Sequence, residues 1–337
     1  MQTVLVTGSA GFIGYHLSEC LLRQGFSVVG YDGMTDYYDV ALKQQRHALL
    51  SAHPQFNATE ALLEDFARLR EVVLAARPEI IVHLAAQAGV RYSLENPRAY
   101  VDANLVGTFN LIECAREVGA RHLLIASTSS VYGANTAMPF AEGDKADTPL
   151  TLYAATKKAG EVMAHAYAHL HGLPTTCFRF FTVYGPWGRP DMALFKFTRG
   201  ILEGTPIEIY NGGEMYRDFT YVGDLVRAIR LLIDAVPPHP SNAGPGVPGD
   251  TLSPVAPYRV VNIGNGQKVR LADFVDAIEA ECGRKADRRL LPMQAGDVPA
   301  TWADNRLLKA LTGYAPQTPL REGVARFVAW YRDYYGV

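Results

Sequence analysis

A glycine-containing segment near the start of the chain restricts the fold more than any other stretch of the sequence. This segment, TGSAGFIG at residues 7–14, follows a β-branched run at Val4–Val6 and precedes an amphipathic helix. In such an arrangement Gly8 makes the tight turn, Gly11 lets the backbone approach a pyrophosphate at the helix N-terminus, and Gly14 allows the helix to pack closely on the sheet. The spacing predicts a dinucleotide site; the alternative is a structural turn that binds nothing.

A carboxylate at the end of the next predicted strand indicates which dinucleotide binds. Asp32 follows Val28–Tyr31, and a carboxylate there accepts hydrogen bonds from a ribose diol and repels a 2′-phosphate, which favours NAD over NADP. We expect Lys43 to reach the cofactor's ribose or phosphate, and Asp65 and Phe66 to flank the adenine, although plain surface or core packing is the alternative for each. The other residues expected at the cofactor are Phe12, Ile13, Leu84, Ala85 and Ala86.

The first half of the chain repeats a short apolar run, a turn and an amphipathic helix. Continuous apolar runs suit a parallel sheet that is covered on both faces. The alternation predicts an α/β fold with a doubly wound parallel sheet of the Rossmann type. The predicted strands are Val4–Val6, Val28–Tyr31, Ile80–Leu84, Leu123–Ser127 and Thr176–Phe180, and the apolar helix faces contain Ile13, Leu17 and Leu21, then Phe66, Leu69, Val72 and Val73, then Leu105, Phe109, Ile112 and Ala115.

The pattern loosens in the second half, which suggests a second structural unit. Residues 1–184 are predicted to form the NAD-binding domain and residues 185–337 a smaller α/β substrate-binding lobe, with some strands or helices returning to the first domain. Helices are expected near Leu271–Cys282 and Leu320–Tyr335. A Pro/Gly-rich stretch at residues 236–257 is predicted to be a mobile surface loop that buries little.

Charge, hydropathy and cysteine content exclude several classes of partner. With 32 basic and 34 acidic residues the formal net charge is -2, so no broad positive field attracts nucleic acid or anionic lipid. No apolar run reaches the length of about 18 residues that a membrane span needs, and the first run passes directly into the glycine segment, which leaves no room for a signal peptide. The four cysteines form no CxxC pair and are interpreted as reduced, so we expect a cytoplasmic protein.

A phenol and an ammonium stand four residues apart in the segment YAATK, as Tyr153 and Lys157. This spacing puts both on one face of a helix. A tyrosine ordinarily titrates near about 10, so it serves as a base only where positive charge, here Lys157 and the nicotinamide ring, stabilises the phenolate. Thr128, just after the fourth predicted strand, is placed to hydrogen-bond the same substrate hydroxyl. In this context the three residues indicate a catalytic triad that also contacts the cofactor, rather than an exposed helical pair.

Five motifs spread along the chain resemble those of one enzyme family. They are TGSAGFIG, HLAAQAGVRYS from His83, STSSVYG from Ser127, LYAATKKAGE from Leu152 and RFFTVYGPWGRPDMA from Arg179. With them the chain resembles the extended short-chain dehydrogenase/reductase family and, within it, the UDP-glucuronate 4-epimerases. The resemblance implies that Tyr153 removes the proton of the sugar C4 hydroxyl while NAD takes the C4 hydride, that the 4-keto sugar rotates, and that the hydride returns to the opposite face. It therefore implies an isomerase that keeps its NAD bound.

Two departures from related enzymes bear on the substrate. Nucleotide-sugar 4,6-dehydratases carry acidic residues where this chain has Ser129 and Ser130, which disfavours dehydration. UDP-galactose 4-epimerases usually have Asn in place of Thr182 and an Arg near the position of Gln294. As the resemblance implies, the hydroxyls of Ser129, Ser130 and Thr182 suit the C5 carboxylate of UDP-glucuronate. We expect this neutral ring to hold the carboxylate without driving loss of CO₂ from the β-keto acid intermediate.

Arginines are the expected partners of the substrate's diphosphate. Arg189 and Arg217 are the first candidates and Arg91 is the third, and for each a surface or structural ion pair is the alternative. Tyr210 is expected to face the uridine, with packing in a short strand as the alternative. A UDP-sugar is thus the predicted small-molecule partner.

Two further patterns concern metal binding and assembly. His165 and His169 lie four residues apart with Glu161 a turn earlier, but no fourth ligand or HExxH order accompanies them, so no metal is predicted. The helices predicted at Leu105–Val118 and Tyr153–His171 carry more apolar surface than one sheet face needs. In resembling proteins these helices pair across a two-fold axis, which implies a homodimer.

Several functions stay open from the sequence alone. The favoured function is 4-epimerisation of UDP-glucuronate. The alternatives are a 4-epimerase of UDP-glucose or UDP-N-acetylglucosamine and a decarboxylase or dehydrogenase of the same family, because each of these enzymes would use the same triad. A reductase dependent on NAD(P)H would release an oxidised or reduced product, which an epimerase does not. A binding protein that has lost catalysis is disfavoured because Thr128, Tyr153 and Lys157 are all present.

Overall fold

The structure is a computed structural model that describes residues 2–293 and 298–337. The described strands are β1 (Thr3–Thr7), β2 (Ser27–Asp32), β3 (Phe56–Glu60), β4 (Ile80–His83), β5 (His122–Thr128), β6 (Thr175–Phe180), β7 (Thr182–Tyr184), β8 (Ile207–Tyr210), β9 (Tyr216–Arg217), β10 (Phe219–Tyr221), β11 (Tyr258–Ile263), β12 (Val269–Arg270), β13 (Arg288–Leu291) and β14 (Ala300–Thr301). The described α-helices are α1 (Phe12–Arg23), α2 (Val40–Ser51), α3 (Phe66–Ala76), α4 (Tyr92–Glu95), α5 (Pro97–Tyr100), α6 (Gly107–Val118), α7 (Leu152–His171), α8 (Ala193–Glu203), α9 (Val222–Asp234), α10 (Leu271–Cys282), α11 (Arg306–Thr312) and α12 (Leu320–Tyr335). A π-helical turn at Val101–Val106 leads into α6, and a 3₁₀ turn at Ser129–Tyr132 follows β5.

Seven parallel strands form the central sheet in the order β11-β6-β5-β4-β1-β2-β3. Every residue of β5 and of β11 is buried, as strands covered on both faces require. The winding direction reverses between β1 and β4, where the last residues of the two strands, Thr7 and His83, lie opposite each other. Open α/β sheets bind ligands at the carboxyl ends of the strands beside such a reversal.

Two layers of helices cover the sheet. One face packs against α1, α9 and α11, through apolar side chains that include Leu17, Leu225 and Leu308. The other face packs against α3, α6 and α7, through side chains that include Leu69 and Ile112. The catalytic candidates on β5 and α7 are therefore held by a buried core rather than by loops.

The smaller lobe lies beyond the carboxyl edge of the sheet. Its helices α8, α10 and α12 surround an aromatic core that includes Phe195, Phe274 and Phe327. Two small sheets, the pair β13-β8 and the three-stranded β12-β9-β14, complete this lobe. Because β8 and β9 carry Tyr210 and Arg217, the lobe brings both side chains to the cleft between the two units.

The doubly wound α/β fold is confirmed, and two strands of the central sheet were missed. Each predicted strand is present, although β4 ends at His83 and Leu84 only continues the pairing through its N–H, which donates to the Thr7 carbonyl at 3.2 Å. The strand β3 was missed because FNATE is an edge strand with only Phe56 fully buried. The strand β11 belongs to the second half of the chain yet pairs with β6, and α9 and α11 return to the first layer with it. The division at residue 184 stays a prediction.

Of two sequence-based expectations about burial, one is wrong and the other is confirmed for part of its segment only. Phe66 and Phe109 were placed on core faces of helices, but they are 41% and 44% exposed. The segment 236–257 was expected to bury little, yet its second half is tied down, since Asp250 pairs with Arg259 at 2.7 Å and Ala256 is fully buried. The two helices predicted near Leu271–Cys282 and Leu320–Tyr335 coincide with α10 and α12.

Over the described ranges, no helix has the length and apolar character needed to cross a bilayer. Gln294, which the substrate argument used, lies outside the described residues.

Candidate active site

A large cleft of about 1930 Å³ runs along the carboxyl edge of the sheet, between the sheet and the smaller lobe. Pockets for one drug-sized ligand are typically about 300–1,000 Å³, so this cleft has room for two ligands of nucleotide size. One end is lined by the glycine segment and Asp32, and the other by residues of β8 and β9. The catalytic candidates Thr128, Tyr153 and Lys157 also line it.

The glycine segment forms a turn that only glycine can build. Gly8 has a positive φ of 74°, and a Cβ there would lie 2.8 Å from the Ala85 nitrogen. The N–H of Gly11 donates to the Gly8 carbonyl at 3.0 Å, and a Cβ on Gly14 would lie 2.0 Å from the same carbonyl oxygen. The turn therefore brings backbone N–H groups and the start of α1 to the cleft without side chains in the way, as a pyrophosphate group needs.

Asp32 lies at the end of β2 and is ordered by the same turn. One carboxylate oxygen accepts from the Ala10 N–H at 3.0 Å and the other from the Met34 N–H at 2.9 Å. Each oxygen keeps further acceptor capacity toward the cleft. The arrangement fits a ribose diol beside the glycine turn, and together with the open glycine cradle it fits NAD.

The other residues expected at the cofactor divide into two groups. Phe12, Ile13, Leu84, Ala85 and Ala86 line the cleft. Lys43 also lines it, and its Nζ donates to the Thr35 carbonyl at 2.5 Å. The structure places Asp65 and Phe66 outside the cleft wall, because Asp65 caps α3 by accepting from the Arg68 N–H at 3.0 Å. The wall at this point consists of Ala61, Leu62, Leu63 and Glu64.

Tyr153 lies in the first turn of α7, which begins where the Thr151 side chain accepts from the Ala154 N–H at 3.3 Å. Its ring is 9% exposed and meets the Tyr100 ring edge-on at 6.0 Å. Burial raises the pKa of Tyr153, while a hydrogen bond with Thr128 and the positive charge of Arg189 act to lower it. The phenol is thus shielded from water and has two neighbours that favour its ionised form.

Lys157 lies one turn further along α7 and also borders the cleft. Burial lowers the pKa of Lys157 to about 8, and Cys177 and Glu161 oppose this shift. The neighbouring His83 is fully buried between the hydroxyls of Thr7 and Thr108, at 2.8 Å and 3.0 Å. Burial, together with the charge of Lys157, lowers the pKa of His83 to about 3, so His83 stays neutral and adds no competing charge.

A buried carboxylate behind Lys157 anchors the catalytic helix to the sheet. Glu161 accepts from the Ser127 hydroxyl at 2.6 Å and from two nitrogens of Arg179 at 2.8 Å and 2.7 Å. Burial opposes its ionisation, but the hydrogen bonds and charge of Arg179 prevail and lower the pKa of Glu161 to about 2. Because Ser127 precedes Thr128 and Glu161 follows Lys157 by one turn, this cluster fixes Thr128 relative to Lys157.

Replacing Glu161 with glutamine is expected to lower the free energy of unfolding by about 3–5 kcal/mol, since Arg179 would stay buried without its counter-charge. Urea unfolding measures the change. In the unmodified protein the contribution is complete above the ordinary pKa of 4.5 and is lost as the pH falls toward about 2. As a control, Glu203→Gln removes the exposed pair with Arg199 and should cost less than about 1 kcal/mol. Equal losses for the two variants would contradict the anchoring role.

The serine and threonine hydroxyls expected near a carboxylate all line the cleft. Ser130 donates its N–H to the Thr128 hydroxyl at 3.2 Å, so the 3₁₀ turn after β5 positions Ser129 and Ser130 next to Thr128. Thr182 begins β7, and its N–H donates to the Asp218 carbonyl at 3.1 Å. The hydroxyl-bearing residues thus come from two neighbouring strand ends.

The three arginines differ in their surroundings. Arg189 forms a two-point pair with Asp191 at 3.0 Å and 2.5 Å and lies over the Tyr37 ring at 5.7 Å. Burial alone would lower the pKa of Arg189, but the charge of Asp191 and its hydrogen bonds raise it. Arg217 lines the cleft and donates to the Tyr216 carbonyl at 2.9 Å.

Arg91 and Tyr210 meet across the cleft from opposite units. The Arg91 guanidinium lies 4.8 Å from the centre of the Tyr210 ring. The Tyr210 hydroxyl also donates to Glu208 at 2.7 Å. Both line the cleft, and their roles at the diphosphate and the uridine stay predictions.

Sequence reasoning did not find several residues that line the cleft. Tyr37 and Tyr38 are an aromatic doublet shortly after Asp32, a signal that could have been used. Lys268 also lines the cleft, with its ammonium 4.2 Å from the Tyr216 ring and 5.0 Å from the Trp302 ring. No local pattern marks Lys268, because the two rings reach it from distant segments.

The histidines considered for metal binding have other partners. His165 lies 2.9 Å from the Ser253 hydroxyl and His169 lies 2.7 Å from the Val255 carbonyl. Both therefore attach the segment before β11 to α7, while Glu161 pairs with Arg179.

Comparisons with known proteins agree with this geometry. Residues 4–244 match the NAD dependent epimerase/dehydratase family. A Rhizobium meliloti protein named "Probable UDP-glucuronate 4-epimerase" is 58% identical over 331 residues, which cover 98% of this chain and 97% of that protein. The structure of UDP-glucuronic acid 4-epimerase from Bacillus cereus in complex with UDP-glucuronic acid and NAD has a TM-score of 0.88 at 29% identity, and the match covers 99% of this chain and 100% of that one. UDP-glucose 4-epimerase from Thermotoga maritima with UDP-glucose has a TM-score of 0.85 at 27% identity, with coverage of 99% and 100%.

Proposed function

The chain belongs to the NAD dependent epimerase/dehydratase family, and from this premise we propose that it is an NAD-dependent 4-epimerase that interconverts UDP-glucuronate and UDP-galacturonate. The observation that carries the proposal is the position of Tyr153. Its buried phenol is hydrogen-bonded to Thr128, one helical turn before Lys157, in a cleft that is also lined by the glycine turn, Lys157, Ser129, Ser130 and Thr182.

The cofactor site is built from the backbone of the glycine turn and the carboxylate of Asp32. Gly8, Gly11 and Gly14 leave room for a pyrophosphate, and the start of α1 favours its negative charge. Asp32 is placed to accept from the ribose diol. When bound, NAD supplies a hydride acceptor for C4 of the sugar and, after the sugar has turned, the hydride donor.

Tyr153 moves the proton. Its phenolate oxygen accepts the proton of the C4 hydroxyl, and Thr128 holds that hydroxyl by a hydrogen bond. The charge of Lys157 stabilises the phenolate, and the pair of Glu161 with Arg179 fixes α7, which carries Lys157, against β6. The same phenol returns the proton to the oxygen when C4 is reduced again, and because the hydride would also return to C4, no net redox change occurs.

The neutral hydroxyls explain why a uronate is the proposed substrate. A C5 carboxylate accepts hydrogen bonds from Ser129, Ser130 and Thr182, whereas a hydroxymethyl group would leave part of their capacity unused. The 4-keto form of a uronate is a β-keto acid, which loses CO₂ when its carboxylate is desolvated without hydrogen bonds. Donors around the carboxylate keep it solvated, which favours epimerisation over decarboxylation.

The substrate's diphosphate is assigned to the basic side chains of the smaller lobe and its rim. Arg217 projects from β9, Arg189 follows β7 and Arg91 crosses toward Tyr210. Arginine pairs with phosphate oxygens in a two-point geometry. Lys268, held on two aromatic rings, adds positive charge to the same wall.

The test is to incubate the purified protein, without added NAD, with UDP-glucuronate and separately with UDP-glucose, and to follow the sugar signals by proton NMR. We expect inversion at C4 of UDP-glucuronate and no change near the NADH absorbance band. Release of CO₂ with a UDP-pentose would identify a decarboxylase, and faster inversion of UDP-glucose would identify the other epimerase. Accumulation of NADH would identify a dehydrogenase.

We further propose that two copies of the chain pair through α6 and α7. These neighbouring helices and the π-helical turn before α6 expose apolar side chains, with Phe109 of α6 at 44%, Val162 of α7 at 59% and Val106 of the turn at 42% exposure. Phe109 meets Tyr167 of α7 edge-on at 6.4 Å, so the two helices present one continuous surface. A second copy related by a two-fold axis would cover this surface with its own equivalent.

Replacing Phe109 with aspartate is expected to convert the dimer into a monomer, because each interface would bury two unpaired carboxylates. Sedimentation equilibrium measures the mass of the assembly. The control is Leu290→Asp on β13, where Leu290 is 62% exposed outside α6 and α7, and it should leave the mass unchanged. An unmodified protein that sediments as a monomer would refute the pairing.

A further inference from the structure

The loop between β7 and α8 has a backbone conformation that its own sequence does not favour. Gly185 has a φ of 144° and Trp187 a φ of 60°. A bulky residue such as tryptophan rarely adopts the left-handed region, so the surroundings must hold it there. Arg189 follows two residues later, and the loop therefore sets where its guanidinium lies.

Two side chains, one from α1 and one from α2, hold this loop by its carbonyl groups. Arg46 of α2 donates to the Trp187 carbonyl at 2.6 Å and to the Gly188 carbonyl at 3.4 Å. His16 of α1 lies 2.8 Å from the Pro186 carbonyl through Nε2, and since a carbonyl only accepts, this nitrogen carries the proton. Three successive carbonyls are thus fixed from outside the loop.

The other nitrogen of the same guanidinium binds the cofactor turn. Arg46 Nη1 donates to the Ala10 carbonyl at 3.0 Å and to the Tyr38 hydroxyl at 2.9 Å. The N–H of Ala10 in turn donates to the Asp32 carboxylate at 3.0 Å. Arg46 is fully buried, and its hydrogen-bond partners among the described residues are carbonyl and phenol oxygens. One planar group therefore joins the glycine turn to the loop that carries Arg189.

We propose that Arg46 is a positioning residue that fixes the guanidinium of Arg189, and with it the substrate's anionic group, relative to the cofactor turn. The inference rests on the proposed function, which assigns Arg189 to the substrate. The positioning role requires the shape of the arginine side chain as well as its charge. A flat guanidinium with several donors can span two carbonyls from different segments, and a lysine ammonium cannot.

The prediction is that Arg46 acts on substrate binding through Arg189. In a Tyr153→Phe background, which prevents turnover, calorimetry gives the Kd of UDP-glucuronate for the NAD-loaded protein. Arg46→Met and Arg189→Met are each expected to raise this Kd about tenfold. The double variant Arg46→Met with Arg189→Met should match Arg189→Met alone to within about twofold, because the position of an absent guanidinium no longer matters.

The controls separate positioning from charge and from general stability. Arg46→Lys keeps the charge and should behave like Arg46→Met. Arg259→Met removes another buried arginine, one that pairs with Asp250 at 2.7 Å outside the cleft, and should leave the Kd unchanged. Any of three results would overturn the proposal. They are a Kd for the double variant that is the product of the two single effects, a normal Kd for Arg46→Lys, and a Kd for Arg259→Met that rises as much as that for Arg46→Met. Binding of UDP-glucuronate without inversion at C4 by the unmodified protein would instead count against the proposed function alone.

Discussion

Replacing Tyr153 with phenylalanine is expected to lower kcat for C4 inversion by about three to four orders of magnitude, because the variant lacks the group that takes and returns the hydroxyl proton. The phenylalanine ring should stay in place, because the ring at this position packs edge-on against Tyr100 and does not depend on its hydroxyl alone. NAD should remain bound, because the glycine turn and Asp32 are unchanged. Proton NMR measures the rate, and absorbance after denaturation measures the bound NAD.

Tyr314→Phe is the matched control. Its ring is 7% exposed and its hydroxyl donates to Asp224 at 2.8 Å, outside the cleft. This variant also loses a buried phenol oxygen, so it shows how much that loss alone affects the fold. We expect it to keep most of the activity. Retention of more than about a tenth of kcat by Tyr153→Phe would mean that another group transfers the proton.

Replacing Gly14 with alanine is expected to weaken NAD binding by about 10- to 100-fold. The new Cβ would lie 2.0 Å from the Gly8 carbonyl oxygen and 2.7 Å from its carbon. Neither atom can move aside without opening the turn, and overpacking of this kind costs about 1–3 kcal/mol, which corresponds to this loss of affinity. The measurement is the amount of NAD that co-purifies with each protomer, followed by titration with NAD.

Gly160→Ala controls for the helix position. Gly160 also lies within a helix, but a Cβ there meets only the Thr108 methyl group at 3.7 Å, so alanine should be tolerated. Should Gly14→Ala fail to fold, Gly11→Ala provides a milder form of the test, because its Cβ would lie 3.0 Å from the Gly8 oxygen. Normal NAD content in both variants would show that the turn does not hold the pyrophosphate.

The parts of the fold that sequence reasoning found are those whose signal is local. The glycine turn, the apolar strands and the spacing of Tyr153 and Lys157 each lie within a few consecutive residues. The strand β3 lacks such a signal, because an edge strand with polar residues looks like a loop. The strand β11 was missed for another reason: its place beside β6 depends on a return of the chain that no short pattern encodes.

The same distinction applies to the site. Thr128, Tyr153 and the cleft-lining glycines follow from motifs, but the roles of Glu161 and Arg46 do not. Glu161 was considered only as a metal ligand, and its contact with Arg179 joins α7 to β6 through the fold. Arg46 meets Trp187 across 141 positions of sequence. Asp65 and Phe66 were assigned to the adenine from their place after a strand, whereas the chain turns into α3 at Asp65 and neither residue lines the cleft.

The position of β11 at the end of the sheet also has consequences for synthesis of the chain. A nascent chain that has emerged only as far as residue 184 contains six of the seven strands of the central sheet, β1 to β6, but the outer edge of β6 then has no neighbour, and an uncovered strand edge invites pairing with other chains. Tyr258–Ile263 must leave the ribosome before that edge is closed. The chain is therefore protected from aggregation at this edge only after its second half has been synthesised. Pairing of β11 with β6 joins segments that are far apart in sequence, and such contacts form slowly.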